Sequence, residues 1–173
     1  MPAESLRLFF ALPCPPTLAR QISDWRDLQG LAGAPVPLAN LHMTLAFLGS
    51  QPAAGVEALC ALAASIQVPR FTLQLDQTTL IGGGYACLEP STTPDALLQL
   101  VSKLNEGLRA LGIEPDPRPF RPHVTLLRNA CGQPTQAPLL SWPAQAFGLY
   151  ASHNDAAGVR YQALASWPLQ AAR

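Results

Sequence analysis

A chain of 173 residues with 49% apolar side chains can close one hydrophobic core, and a charged share of 13%, against a usual share of roughly 25%, argues against a disordered polyelectrolyte. Eleven basic and eleven acidic residues cancel, which excludes an extended electrostatic grip on nucleic acid, so phosphate recognition has to be local. The four cysteines, Cys14, Cys60, Cys87 and Cys131, form no Cys-x-x-Cys pair, which speaks against structural zinc and for reduced thiols, with Cys60 and Cys87 expected to be buried.

In chain order, Leu6 to Leu12 is an apolar run bounded by Pro13 and reads as a buried strand. Glu4 precedes that run, and Pro13, Pro15 and Pro16 end it too soon for a signal peptide or a membrane span, so a soluble cytoplasmic protein is expected. Thr17 to Leu28 carries Leu18, Ile22 and Trp25 at helical spacing, with Gly30 as a stop. A loop bearing Pro35 and Pro37 leads to Leu41–Gly49, a strand expected to turn His42 and Thr44 to one face and Met43, Leu45 and Phe47 to the other, and to end at Gly49.

Ser50 and Pro52 are expected to open a helix with Val56, Leu59, Cys60, Ala63 and Ile66 on its buried stripe. Phe71, Leu73 and Leu75 alternate, and Tyr85 to Leu88 is expected to pair with them across Gly82-Gly83-Gly84. No Gly-Lys-Ser/Thr follows those glycines, so they are not a phosphate loop. Thr93-Pro94-Asp95 predicts a capped helix running to about Leu111, with Leu97, Leu100, Val101, Leu104, Leu108 and Leu111 on its core stripe. Four prolines between 115 and 122 stiffen the approach to a second strand, Pro122 to Arg128, and the chain closes with a hairpin of Phe147 to Ser152 and Val159 to Ser166. The pattern is α+β with two related halves.

The chemistry sits in His42-Met43-Thr44 and His123-Val124-Thr125. Two of only three histidines carry threonine at the +2 position, and side chains two apart on a strand share a face. Two imidazoles in one cleft can give and take protons near neutral pH. The threonines have no third group to activate them as nucleophiles, so they read as hydrogen-bond donors to an oxyanion such as phosphate. Arg118, Arg121 and Arg128 crowd the second copy, and arginine grips phosphate through its planar fork. Arg128 has the wrong parity for the face of Thr125 unless the strand bulges or ends after Leu126; otherwise Arg121 or Arg118 is the better phosphate partner. A zinc site needs three or four ligands, and the third histidine, His153, falls in the closing hairpin without a motif, so no metal is expected.

The segments Arg7–Ala11, Asn40–Gly49, Arg118–Arg128, Leu149–Ser152 and Ser166–Leu169 together resemble, in order and spacing, the two-histidine (2H) phosphoesterase superfamily, and within it the RNA 2′,3′-cyclic phosphodiesterases of the LigT/ThpR, or 2′-5′ RNA ligase, type. The resemblance implies an α+β bilobal fold, with two antiparallel sheets facing a central cleft, helices outside, a pseudo-twofold, and a single domain of interleaved lobes over residues 1–173. It implies hydrolysis of a terminal 2′,3′-cyclic phosphate to a 2′-phosphomonoester, with 2′-5′ ligation as the reverse kind of transfer, and no cofactor. On that pattern His42 would protonate the departing O3′, His123 would activate water, Thr44 and Thr125 would hold the non-bridging oxygens, and Arg128 would neutralise the phosphate. Phe9 is a candidate for base stacking or for the core. The expected partners are RNA ends or nucleotides bearing a 2′,3′-cyclic phosphate, handled by a monomer without a membrane. The alternatives are a non-catalytic nucleotide or RNA-end binding module, and a phosphodiesterase for another small 2′-linked or cyclic phosphate.

Overall fold

The computed structural model describes residues 4–171. Its first strand, β1 (Ser5–Pro13), is the interior of a four-stranded antiparallel sheet with order β10-β9-β1-β3, in which β3 is His42–Pro52, β9 is Ala146–Asp155 and β10 is Gly158–Pro168. A second four-stranded antiparallel sheet runs β2-β7-β6-β5, from Ala34–Pro35, Val124–Arg128, Tyr85–Glu89 and Gln77–Ile81. A third, smaller sheet pairs β4 (Phe71–Leu75) with β8 (Leu140–Ala144). Three helices, α1 (Pro16–Leu28), α2 (Val56–Ser65) and α3 (Asp95–Ala110), complete the mixed architecture of two antiparallel sheets that the resemblance implies. The two halves are not equivalent: the first motif strand, β3, lies at the edge of its sheet and the second, β7, lies inside its own. No helix among the described residues is long and apolar enough to cross a membrane.

Alternation on β1 divides its side chains between two environments. Leu8, Phe10 and Leu12 join the core cluster together with Leu18 and Ile22 of α1 and Leu97, Leu100, Leu104 and Leu108 of α3. Phe9 is also buried but lies on the other face, outside that cluster, and Arg7 shares its parity. The core therefore fills the helix side of the sheet, and the opposite face is left to line a cleft. Helices α2 and α3 meet where the Leu62 side chain occupies the space a Cβ on Gly107 would need.

Several local expectations are corrected. Tyr85–Glu89 forms its glycine-turn hairpin with Gln77–Ile81, not with Phe71–Leu75, whose partner is Leu140–Ala144. Gly49 does not end β3: it adopts φ 72° beside an irregularity in the register, and pairing continues to Pro52. Ser50 and Pro52 do not start α2 directly, because a turn of 3-10 helix at Ala53–Gly55 intervenes. The N-cap of α3 is Pro94 and no side chain caps it, so Thr93 does not play that part, and Leu111 is exposed just past the helix end. Cys60 is half-buried, while Cys87 is fully buried.

Candidate active site

Two bulges place the polar groups. In β3 the register against β1 steps from Thr44↔Ala11 to Ala46↔Phe10, so Leu45 is the extra residue and parity inverts after it. His42 and Thr44 face the cleft before the bulge and Phe47 faces it afterwards; Phe47, expected to be core, is 43% exposed. In β7 the register against β6 steps from Thr125↔Cys87 to Leu127↔Ala86, so Leu126 is the extra residue. Leu126 and Leu127 are both buried, and Arg128 returns to the face of Thr125. That resolves the parity conflict in favour of a bulge.

The cleft is a trough formed by two adjoining cavities of about 440 and 310 Å³ that share His42, Thr44, Arg128 and Tyr161. Thr125 lines the smaller cavity, and Phe9 lines the larger. Phe9 is buried and turned to the cleft, outside the core cluster. His123 precedes the first residue of β7 and lines neither cavity; it stands at the margin, close enough for its charge to act on His42. Arg118 is held by Asp116, with Nη2 2.6 Å from Oδ2, and pushes that carboxyl down to about 2. Arg121 binds both oxygens of Glu89 at 2.6 and 3.2 Å. Neither arginine lines the cleft, which leaves Arg128 as the phosphate candidate of the three.

The two histidines are oriented in the same way. His42 Nδ1–H donates to the Asn40 carbonyl at 2.7 Å, and His123 Nδ1–H donates to the Arg121 carbonyl at 2.8 Å. A carbonyl only accepts, so in each neutral ring the hydrogen is on Nδ1 and Nε2 is the basic atom. The Thr44 hydroxyl lies 2.9 Å from His42 Nε2 and donates to it in that state. Asn40 is itself fixed, its side-chain amide donating to the Val159 carbonyl of β10 at 2.9 Å. Burial lowers the pKa of His42; the Asn40 carbonyl opposes this, and the positive charges of His123 and Arg128 reinforce it. These surroundings favour a neutral His42.

Alternation patterns missed Tyr161, which lines both cavities. Its ring meets His42 edge-on at 5.1 Å and Phe9 at 5.0 Å, and its hydroxyl accepts a long bond of 3.4 Å from Arg128 Nη2. The signal is faint, one tyrosine between Arg160 and Gln162 in the second strand of the closing hairpin. On the other sheet the Cys87 thiol lies 3.5 Å from the Tyr85 carbonyl and 3.8 Å from the Thr125 hydroxyl, and burial pushes it up to about 11, so it stays protonated behind that threonine. His153 faces Gln162 at the surface, 2.8 Å from its Oε1. Among the described residues, no three His, Cys, Asp or Glu side chains converge as metal ligands.

The profile of the 2′-5′ RNA ligase superfamily matches residues 14–152. The chain is 38% identical over 173 aligned residues to the RNA 2′,3′-cyclic phosphodiesterase of Escherichia coli, covering 96% of this chain and 98% of that protein. It is 28% identical to the protein of the same name from Thermus thermophilus, covering 95% and 91%. The crystal structure of E. coli LigT complexed with 3′-AMP superposes with a TM-score of 0.87 at 38% identity, over 96% of this chain and 99% of that one. With a family match across most of its length and a near full-length relative, this chain belongs to the 2′-5′ RNA ligase superfamily.

Proposed function

We propose that this chain is an RNA 2′,3′-cyclic phosphodiesterase that opens a terminal cyclic phosphate to a 2′-phosphomonoester without a metal, and that the same site can run the related 2′-5′ transfer. The observation that carries the reading is the convergence of His42, Thr44, Thr125 and Arg128, from two separate sheets, on one trough. The E. coli and T. thermophilus relatives bear the name of this activity.

In this reading the cyclic diester anion lies against the Arg128 guanidinium and the two threonine hydroxyls, which donate to its non-bridging oxygens. His123 Nε2 takes a proton from water as the water oxygen attacks phosphorus, the P–O3′ bond breaks, and His42 Nε2–H protonates O3′. The 2′-phosphomonoester remains, and the two imidazoles have exchanged protonation states. Burial alone would leave His42 without the proton it has to give, but the bound phosphate opposes the nearby cations and favours its imidazolium. Thr44 has to turn its hydroxyl hydrogen from Nε2 to the phosphate as His42 becomes protonated, which couples substrate binding to proton uptake. One chain supplies every group, so the reading needs no second copy, and a cytoplasmic setting suits its four free thiols.

The test is to incubate the protein in excess EDTA with a short RNA ending in a 2′,3′-cyclic phosphate and to map the terminal phosphate. The reading requires a 2′-phosphate. Retained RNA-end binding without conversion would make the chain a binding module instead.

A further inference from the structure

We propose that Glu89 and Arg121 are positioning residues for the second motif histidine: their ion pair pins the Arg121 carbonyl, and that carbonyl aims His123. The effect on rate rests on the reading of His123 as general base, whereas the effect on the ring does not.

His123 has little else to hold it. It precedes β7, so no strand pairing fixes its backbone, and it follows a stretch in which Pro115, Pro117, Pro119 and Pro122 remove backbone donors. Among the described residues, no backbone–backbone hydrogen bond outside helices and strands involves residues 114–123. Phe120 packs against the core, but an apolar contact has no direction and leaves the next carbonyl free to turn. Direction comes from the Arg121 side chain. Its Nε and Nη2 donate to the two Glu89 oxygens at 2.6 and 3.2 Å, and Nη2 also reaches Thr79 Oγ1 at 3.1 Å. Glu89 closes β6 and Thr79 lies in β5, so the guanidinium is fastened to two adjoining strands of the sheet that carries Thr125. The Glu89 side chain is 15% exposed, and a bidentate charge-assisted pair fixes orientation as well as distance.

The first motif has the same arrangement. In each copy the residue two before the histidine accepts from Nδ1 through its backbone carbonyl and is anchored by its own side chain, Asn40 to the Val159 carbonyl and Arg121 to Glu89. His42 is also held by strand pairing opposite Pro13, which His123 lacks. If the Arg121 carbonyl turned away, the hydrogen would no longer be held on Nδ1. The tautomer with hydrogen on Nε2 has no lone pair there to take a proton from water. The ring would also be free to swing, and an ångström of misplacement costs about 10²-fold. Glu89 and Arg121 line neither cavity of the trough, so they act through His123 and not on the phosphate. Arg121 is more than half exposed, and such a pair contributes little to folding.

The test reads the ring and the rate separately. In nitrogen-15 NMR spectra of the neutral imidazoles, the parent should show the His123 hydrogen on Nδ1, and Glu89→Ala should shift His123, but not His42, towards a mixture of tautomers. Arg121→Gln keeps the carbonyl and loses only its anchor. It and Glu89→Ala should each lower kcat on a cyclic-phosphate RNA end about 10–10²-fold, with KM unchanged and Tm close to the parent's. Combined, they should lower it no further than either alone, and in a His123→Ala background Glu89→Ala should change the single-turnover rate by less than about two-fold. A parent His123 with its hydrogen on Nε2 overturns the proposal, and so does a Glu89→Ala variant whose His123 tautomer matches the parent's. So too does a loss that multiplies with that of His123→Ala, as an independent structural effect would. A raised KM at constant kcat for Arg121→Gln would make Arg121 a phosphate ligand and equally overturn it. If the parent converts no cyclic phosphate, the hydrolytic reading fails while the tautomers still decide the positioning.

Discussion

Arg26 is the one buried arginine among the described residues, 7% exposed, and it ties the first helix to both motif segments. Its Nη1 donates to the Val36 carbonyl at 2.7 Å, in the loop before the first motif, and to the Leu126 carbonyl at 3.3 Å, at the bulge of the second. Nη2 reaches Ser23 Oγ at 3.1 Å. Leu126 O also accepts from the Val36 amide at 2.9 Å, so Arg26→Met leaves that oxygen satisfied and orphans the Val36 carbonyl. Losing one charge-assisted bond and stranding one buried acceptor costs about 3–4 kcal/mol. Burying a methionine in place of the guanidinium stem and relieving its desolvation returns about 1. The net loss of about 2–3 kcal/mol corresponds to a fall in Tm of roughly 4–12 °C for a chain of this length. Thermal and urea unfolding of Arg26→Met read it directly, with Arg26→Lys recovering only part because one ammonium cannot keep the Nη2 bond to Ser23 Oγ as well. Because the Leu126 bulge aims Arg128, kcat/KM for the cyclic phosphate should fall as well. A loss of stability under about 0.5 kcal/mol would refute the claim that this guanidinium holds the motif segments together.

His42 has a folded pKa below its unfolded value of 6.5, so the native state binds fewer protons than the unfolded chain as the medium turns acid. Its contribution to stability is complete above pH 6.5 and is lost as pH falls towards the folded value. An NMR titration should find the His42 ring protonating below 6.5 in the free protein and higher with inorganic phosphate bound, and His42→Asn should flatten the acid slope of the unfolding free energy. Thr44→Val removes the donor to His42 Nε2 and to the phosphate, and is expected to lower kcat about 10²-fold with little change in Tm. Gly33→Ala would place a Cβ 2.9 Å from the Arg128 carbonyl at φ 144°. It should destabilise the β2–β7 pairing by about 1–3 kcal/mol and weaken phosphate binding, both measurable by calorimetry.

Much of this was legible in the residues. The His-x-Thr repeat located both motif segments, the stripes of α1 and α3 followed from their apolar spacing, and the closing hairpin followed from alternation on either side of Asn154–Gly158. What escaped was set by tertiary pairing. Alternation states which residues share a face but not which strand they meet, so it points Phe71–Leu75 to the neighbouring hairpin, whereas β8 is the partner, with buried Trp142 across from Leu73. Bulges are equally silent, because an extra residue leaves the composition unchanged and reverses every later side chain. That is why Phe47 belongs to the cleft and Arg128 faces Thr125. Tyr161 joins the site from a strand more than a hundred residues beyond His42, through a sheet order that local pattern does not encode.

The central claim is that both His-x-Thr copies work in one cleft, and His123, at its margin, is where that claim is most exposed. The direct measurement is the single-turnover rate of His123→Ala on a cyclic-phosphate RNA end at saturating protein, beside the parent and His42→Ala. A general acid or base contributes roughly 10²–10⁴-fold, so each variant should fall by at least about 10² while still binding the RNA end. A His123→Ala rate within about ten-fold of the parent, with His42→Ala inactive, would contradict the two-histidine account.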